Sequence, residues 1–195
     1  MSSLRFNPNP EWNNMWGNRF YLGLTQLMFD IYTTLKDKPN LKMLEIGSYK
    51  GESTFMFASL GIFKEIHCID PHKGNEESNS LFNETWDNVQ NEFKINTRHF
   101  NNITHYKEYS YNIPNIFSDK YFDFIYIDGA HDYESVKKDI ELYLPKTKHL
   151  IGGHDYQKEW PGVVKAVNEI LNEPDIIYPD DSWIKSLSKI DITYL

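Results

Sequence analysis

Leu44-Glu45-Ile46-Gly47-Ser48-Tyr49-Lys50-Gly51-Glu52-Ser53-Thr54 is an apolar run that meets an acid, passes two glycines and enters a helix-prone segment. A strand over residues 42–46 has to reverse at once, and Gly47, lacking a Cβ, supplies the tight turn. Gly51 is placed to let backbone approach a ligand that a side chain would exclude. A helix over residues 53–60 presents unpaired N–H groups at Ser53 and its neighbours, which suit a carboxylate or a phosphate. The stretch reads as the strand–loop–helix cradle of a small cofactor.

Outward from it, strands and helices alternate. Residues 66–69 form a second strand ending in Asp70, where a doubly wound sheet places an acid that accepts hydrogen bonds from two ribose hydroxyls; a turn-forming acid before Pro71 is the plainer alternative. Phe82, Trp86, Val89 and Phe93 form a core-facing helical stripe. Residues 103–109 read as a third strand with Ser110 at its end, and residues 121–127 as a central fourth strand. That strand runs into Asp128-Gly129-Ala130-His131-Asp132-Tyr133. Tyr133, Val136, Ile140 and Leu144 then share a helix face, with Asp132 as N-cap and Pro145 as stop. Residues 149–153 make a fifth strand ending in Gly153-His154-Asp155-Tyr156, and a helix with Val163, Val167, Ile170 and Leu171 runs between Pro161 and Pro174. The tail, with strand candidates at 175–178, 183–187 and 190–194, closes the sheet as an antiparallel hairpin. The fold class is α/β and Rossmann-like, a mostly parallel sheet with helices on both faces.

Upstream, Tyr21, Leu24, Leu27, Met28, Ile31 and Leu35 mark an amphipathic helix ending before Pro39. Trp12 and Trp16 precede it as core packing or as a lid over the ligand. The 195 residues make one domain, with residues 1–40 as N-terminal segment and helix and 41–195 as core.

A net charge of −8 gives no footprint for nucleic acid or an anionic membrane, because counterion release needs clustered Lys and Arg. No segment has the length of a membrane span, and the N-terminus lacks the apolar core of a signal peptide. The single cysteine, Cys68, lies in an apolar run and reads as a reduced buried thiol, which points to a reducing compartment and a cytoplasmic location. The aromatic N-terminal segment would serve a homodimer.

Ligands of open α/β sheets sit outside the carboxyl ends of the strands, where the three polar clusters 47–53, 128–131 and 154–155 all fall. The first, with its Gly-x-Tyr-x-Gly-x-Ser form, resembles the first motif of class I S-adenosylmethionine-dependent methyltransferases, in the version of the catechol and caffeoyl-CoA O-methyltransferases. Residues 127–134, 153–156 and Gly162-Val163-Val164-Lys165-Ala166-Val167 are similar to small bacterial and viral members related to sugar and macrolide O-methyltransferases. The resemblance runs from about Leu41 to Leu171. It implies that Gly47, Ser48, Tyr49, Gly51 and Ser53 surround the methionine part of the cofactor, that Glu45 also belongs to the cofactor site, that Asp70 holds the ribose, and that Ser110 lies near the adenine. Asp128 would face the cofactor's amino group or a metal. His131 falls where the catechol enzymes carry a lysine base, and an imidazole suits that task; capping the next helix is the alternative. A divalent ion would be held by Asp128, His154 and Asp155, and a histidine among the ligands favours manganese, iron or zinc over magnesium; otherwise His154 is a second base. The implied activity is methyl transfer to a hydroxyl of a small molecule or sugar.

Two other functions compete. A nicotinamide-dependent oxidoreductase would share the sheet, but its Gly-x-Gly-x-x-Gly fingerprint is missing from 47–51. A catalytically inactive cofactor-binding partner subunit would have no need of Asp128, His131, His154 and Asp155 together.

Overall fold

The computed structural model describes residues 17–74 and 85–187, with side chains from Leu22 onward. Trp12, Trp16, Phe82, most of the loop after Lys73 and the last strand candidate lie outside them. The first helix, α1, spans Gly17–Leu35 and buries Leu24, Leu27, Ile31 and Leu35, the stripe that its spacing predicts. There follow β1 (Leu41–Ile46), α2 (Glu52–Ser59), β2 (Phe63–Ile69), α3 (Trp86–Thr97), β3 (Ile103–Tyr106), β4 (Phe122–Ile127), α4 (Tyr133–Tyr143), β5 (Thr147–Gly153), α5 (Pro161–Leu171), β6 (Ile176–Ile177) and β7 (Trp183–Ser186).

The strands form one sheet in the order β3-β2-β1-β4-β5-β7-β6. The pairs β1–β2, β2–β3, β1–β4 and β4–β5 are parallel, while β7 runs antiparallel to both β5 and β6. β3 is shorter than the sequence predicts. The Glu108 carboxylate accepts from the Tyr109 N–H and from Asn112 Nδ2, both at 2.8 Å, and bends the chain into a 3-10 turn at Ser110–Asn112.

Strand side chains alternate between faces, and the two faces carry two cores. Met43, Cys68, Phe124 and Tyr126 pack with α1, α2 and Phe93 of α3. Leu44, Ile46, Ile125, Ile127 and Ile151 pack with Val136 and Ile140 of α4 and Val163 and Val167 of α5. Cys68 is a buried free thiol whose pKa burial pushes well up, so it is unreactive. Strand order reverses between β1 and β4, and this opens the crevice at their carboxyl ends where such sheets bind ligands. No helix among the described residues is long and apolar enough to cross a membrane.

Candidate active site

A cleft of about 750 Å³ lies at that reversal, within the size range of small-molecule sites. Hydrogen bonds continue past the strand ends and fix its floor. Gly47 N–H donates to Ile69 O (2.9 Å), Asp128 N–H to Ile46 O (2.8 Å) and His154 N–H to Ile127 O (3.1 Å). Gly47 has φ +84°, and a Cβ there would stand 2.0 Å from the Asp128 carbonyl oxygen, so only glycine lets these two strand ends close.

The β1–α2 loop is clasped to the end of β2. Asp70 accepts the Tyr49 N–H at 2.8 Å on Oδ2 and the His72 N–H at 2.7 Å on Oδ1. The His72 ring returns to the Tyr49 carbonyl oxygen through Nε2 at 2.8 Å. Tyr49 and His72 both hold left-handed backbone, φ 42° and 46°, which non-glycine residues adopt uncommonly and which these bonds support. The clasp leaves Asp70 lining the cleft, with lone pairs to spare for ribose hydroxyls.

At the β4 and β5 ends, His131 Nε2 lies 2.9 Å from Asp155 Oδ2, and His154 Nδ1 approaches the same oxygen at 3.1 Å. Asp128 Oδ1 stands 4.0 Å from His154 Nδ1, and Asp180 Oδ2 stands 3.9 Å from His154 Nε2. The His131 ring stacks on Trp160 with centroids 4.3 Å apart. Burial pushes the Asp128 carboxyl up to about 6, against the pull of His154. Burial acts in the same sense on Asp155, yet the hydrogen bonds from His131 and His154 hold it well below the usual carboxylate range. For His154 burial works downward, and the carboxylates of Asp128, Asp155 and Asp180 overcome it and raise the ring to about 9.

Residues 44–156 match a family of methyltransferase domains. The chain is a class I S-adenosylmethionine-dependent methyltransferase. It is 31% identical over 175 residues to an uncharacterised protein of Acanthamoeba polyphaga mimivirus, covering 81% of this chain and 71% of that one. Two solved structures share the fold. One is a Staphylococcus aureus protein assigned as a caffeoyl-CoA O-methyltransferase, with TM-score 0.56, 23% identity, and 84% and 81% of the two chains covered. The other is a Methanococcus maripaludis protein assigned as an S-adenosylmethionine-dependent methyltransferase, with TM-score 0.54, 16% identity, and 95% and 92% covered.

The methyltransferase's cleft fits its cofactor. Gly47, Ser48, Tyr49, Ser53, Asp70, Ser110 and Asp128 all line it. Ser48 Oγ, in a residue only 2% exposed, has no hydrogen-bond partner among the described residues, as a hydroxyl reserved for a ligand would. Glu45 and Gly51 are placed differently from expectation. Glu45 is fully buried on the α2 side of β1, where its carboxylate accepts from the Ser53 hydroxyl at 2.5 Å and from the Thr54 hydroxyl. Ser53 therefore offers the cleft its backbone, with its hydroxyl turned inward. Gly51 has φ +79°, and a Cβ there would meet Phe93 of α3 at 2.9 Å, so it makes room for a helix and not for the methionine chain.

The remaining polar candidates gather at the ends of β4 and β5. Among the described residues, the ligand-type atoms that gather are those of Asp128, His131 and Asp155, all within 4.8 Å of one another; His131 stands in the group where His154 was expected. His154 lies beside the group, its Nδ1 3.1 Å from Asp155 Oδ2 and 4.0 Å from Asp128 Oδ1, and the surrounding carboxylates favour its protonated form. Sequence reasoning missed His72, whose role runs through a backbone carbonyl, and Asp139, which no motif marks. It also placed Trp86 in the core stripe. Val89 and Phe93 are buried, but Trp86, at the first turn of α3, lines the cleft edge-on to Tyr49 at 6.2 Å.

Proposed function

We propose that this methyltransferase acts on a hydroxyl of a small molecule or sugar, and that His131 accepts the hydroxyl proton. The observation that carries this is the His131–Asp155 pair at 2.9 Å inside the cofactor cleft. Bound S-adenosylmethionine supplies an electrophilic methyl group, so the protein's task is to hold an acceptor oxygen in line and take its proton. With Nε2–H directed at Asp155, the basic lone pair of His131 is on Nδ1, and the carboxylate both fixes that tautomer and favours the imidazolium that forms. Trp160 holds the other face of the ring and gives the cleft a flat apolar wall suited to a sugar or aromatic ring.

Release of S-adenosylhomocysteine, measured over a panel of sugars, phenols, amines and thiols, tests the reading. Turnover is expected with hydroxyl acceptors, falling about 10²- to 10⁴-fold in His131→Ala with cofactor affinity kept. Turnover confined to amines or thiols, or an unchanged kcat in the variant, would overturn it.

The grouping of Asp128, His131 and Asp155 supports a second reading, in which His131 is a metal ligand. A manganese, iron or zinc ion there, matching two oxygen donors and one nitrogen, would supply Lewis acidity toward the acceptor hydroxyl. Exhaustive chelation separates the two: the base reading expects turnover to survive, the metal reading expects loss and recovery on adding the ion back.

A further inference from the structure

Beyond β5 the chain turns through Asp155, Tyr156 and Gln157, and Asp155 takes left-handed backbone there, φ +60°, a conformation that Asp tolerates better than most side chains. Gln157 closes the turn twice. Its backbone N–H donates to the Asp155 carbonyl oxygen at 2.8 Å, and its side-chain Nε2 donates to Asp155 Oδ1 at 3.0 Å. Its carbonyl oxygen accepts the Trp160 N–H at 3.0 Å, at the start of α5. One residue is thus bonded to both neighbours that hold the His131 ring, the carboxylate at its Nε2 and the tryptophan stacked on its face.

The bond to Oδ1 sets the rotation of the Asp155 carboxylate. His131 Nε2 at 2.9 Å and His154 Nδ1 at 3.1 Å both converge on Oδ2, and two contacts on one oxygen leave the group able to turn about it. Gln157 on the other oxygen stops that turn. A carboxylate only accepts, so the amide must face it with its NH2 group. Without that donor the acceptor opposite His131 Nε2–H is no longer fixed. The neutral imidazole can then carry its proton on Nδ1 and loses the lone pair that the base needs there.

We infer that Gln157 is a positioning residue for proton transfer: its side chain holds Asp155 Oδ1, which aims Oδ2 at His131 Nε2 and keeps the basic lone pair on Nδ1. The inference rests on the reading of His131 as the base, but the tautomer that Gln157 fixes is measured without turnover.

Nitrogen-15 NMR of the full chain saturated with S-adenosylhomocysteine, at a pH where the His131 ring is neutral, reads that tautomer; loss of the signal in His131→Ala assigns it. The wild type is expected to carry the proton on Nε2. In Gln157→Glu, an isostere that cannot donate once ionised, and in Gln157→Met, the Nδ1–H form is expected to rise about tenfold or more. In both variants kcat with a hydroxyl acceptor is expected to fall about tenfold, with acceptor KM and S-adenosylhomocysteine affinity within about threefold of wild type. A wild-type protein with the proton on Nδ1, or folded variants that keep the wild-type tautomer, would overturn the inference. Losses in cofactor affinity as large as those in kcat would overturn it too. An unchanged kcat in His131→Ala would refute the base alone, and the tautomer populations would still decide the role of Gln157.

Discussion

Glu45 shows how a side chain inside the cofactor motif works from behind the site. Burial raises its carboxyl to about 7, with the Ser53 and Thr54 hydrogen bonds opposing. A raised folded-state pKa means that the native protein holds a proton which the unfolded chain has released, so this contribution to stability is complete below about 4.5 and is lost as pH rises through about 7. Glu45→Gln removes the ionisation and keeps an acceptor for one hydroxyl. Its melting temperature should equal or fall below that of the wild type near pH 4.5 and exceed it at pH 8, by the equivalent of about 3 kcal/mol, with S-adenosylhomocysteine affinity unchanged. Parallel melting curves across that range, or lost ligand affinity, would assign Glu45 to the ligand instead. The parity of the strand already contains this placement: Leu44 and Ile46 face α4 and α5, so Glu45 must face α2. The motif's acid is legible in the sequence, but its partner is found only by tracking which face it occupies.

At the scale of elements, α5 positions the proposed base without contributing one. Its first turn presses on the His131 loop so closely that a Cβ on Gly162 would lie 2.5 Å from the His131 carbonyl oxygen and 2.6 Å from the Tyr133 nitrogen. Gly162→Ala must displace that loop, and an ångström of displacement there costs orders of magnitude in rate. We expect kcat to fall at least about tenfold with S-adenosylhomocysteine affinity within about threefold of wild type, because the cofactor loop belongs to β1 and α2. Equal losses in both would mean that the two halves of the cleft move together. Elements set by local pattern were legible: short apolar, β-prone runs gave β1, β4 and β5, the N-cap Asp132 and the first-turn Pro161 gave the starts of α4 and α5, and the apolar stripe gave α1. Trp86 misled because a stripe at helical spacing does not say which end of the helix overhangs a cleft. The His72 clasp was invisible because a bond to the Tyr49 carbonyl leaves no residue-type signature.

At the scale of the whole molecule, the sheet order decides what meets. β1 and β4 are neighbours although α2, β2, α3 and β3 separate them in sequence, and that adjacency brings the cofactor loop to Asp128, His131 and Asp155. The antiparallel β7 pairs with β5, and the turn between β6 and β7 carries Asp180 beneath His154, completing the ring of carboxylates. The fold can therefore hold the cofactor and the proposed proton acceptor on a single rim. The proposed reaction ends with the transferred methyl on the acceptor oxygen and the hydroxyl proton on His131. Its most direct test is nuclear magnetic resonance of the product formed from cofactor carrying a carbon-13 methyl group, in wild type and in His131→Ala. An oxygen-linked methyl resonance that grows in the wild type and is suppressed about a hundredfold or more in the variant is the predicted result. A nitrogen- or sulfur-linked methyl, or equal growth in both proteins, would contradict it.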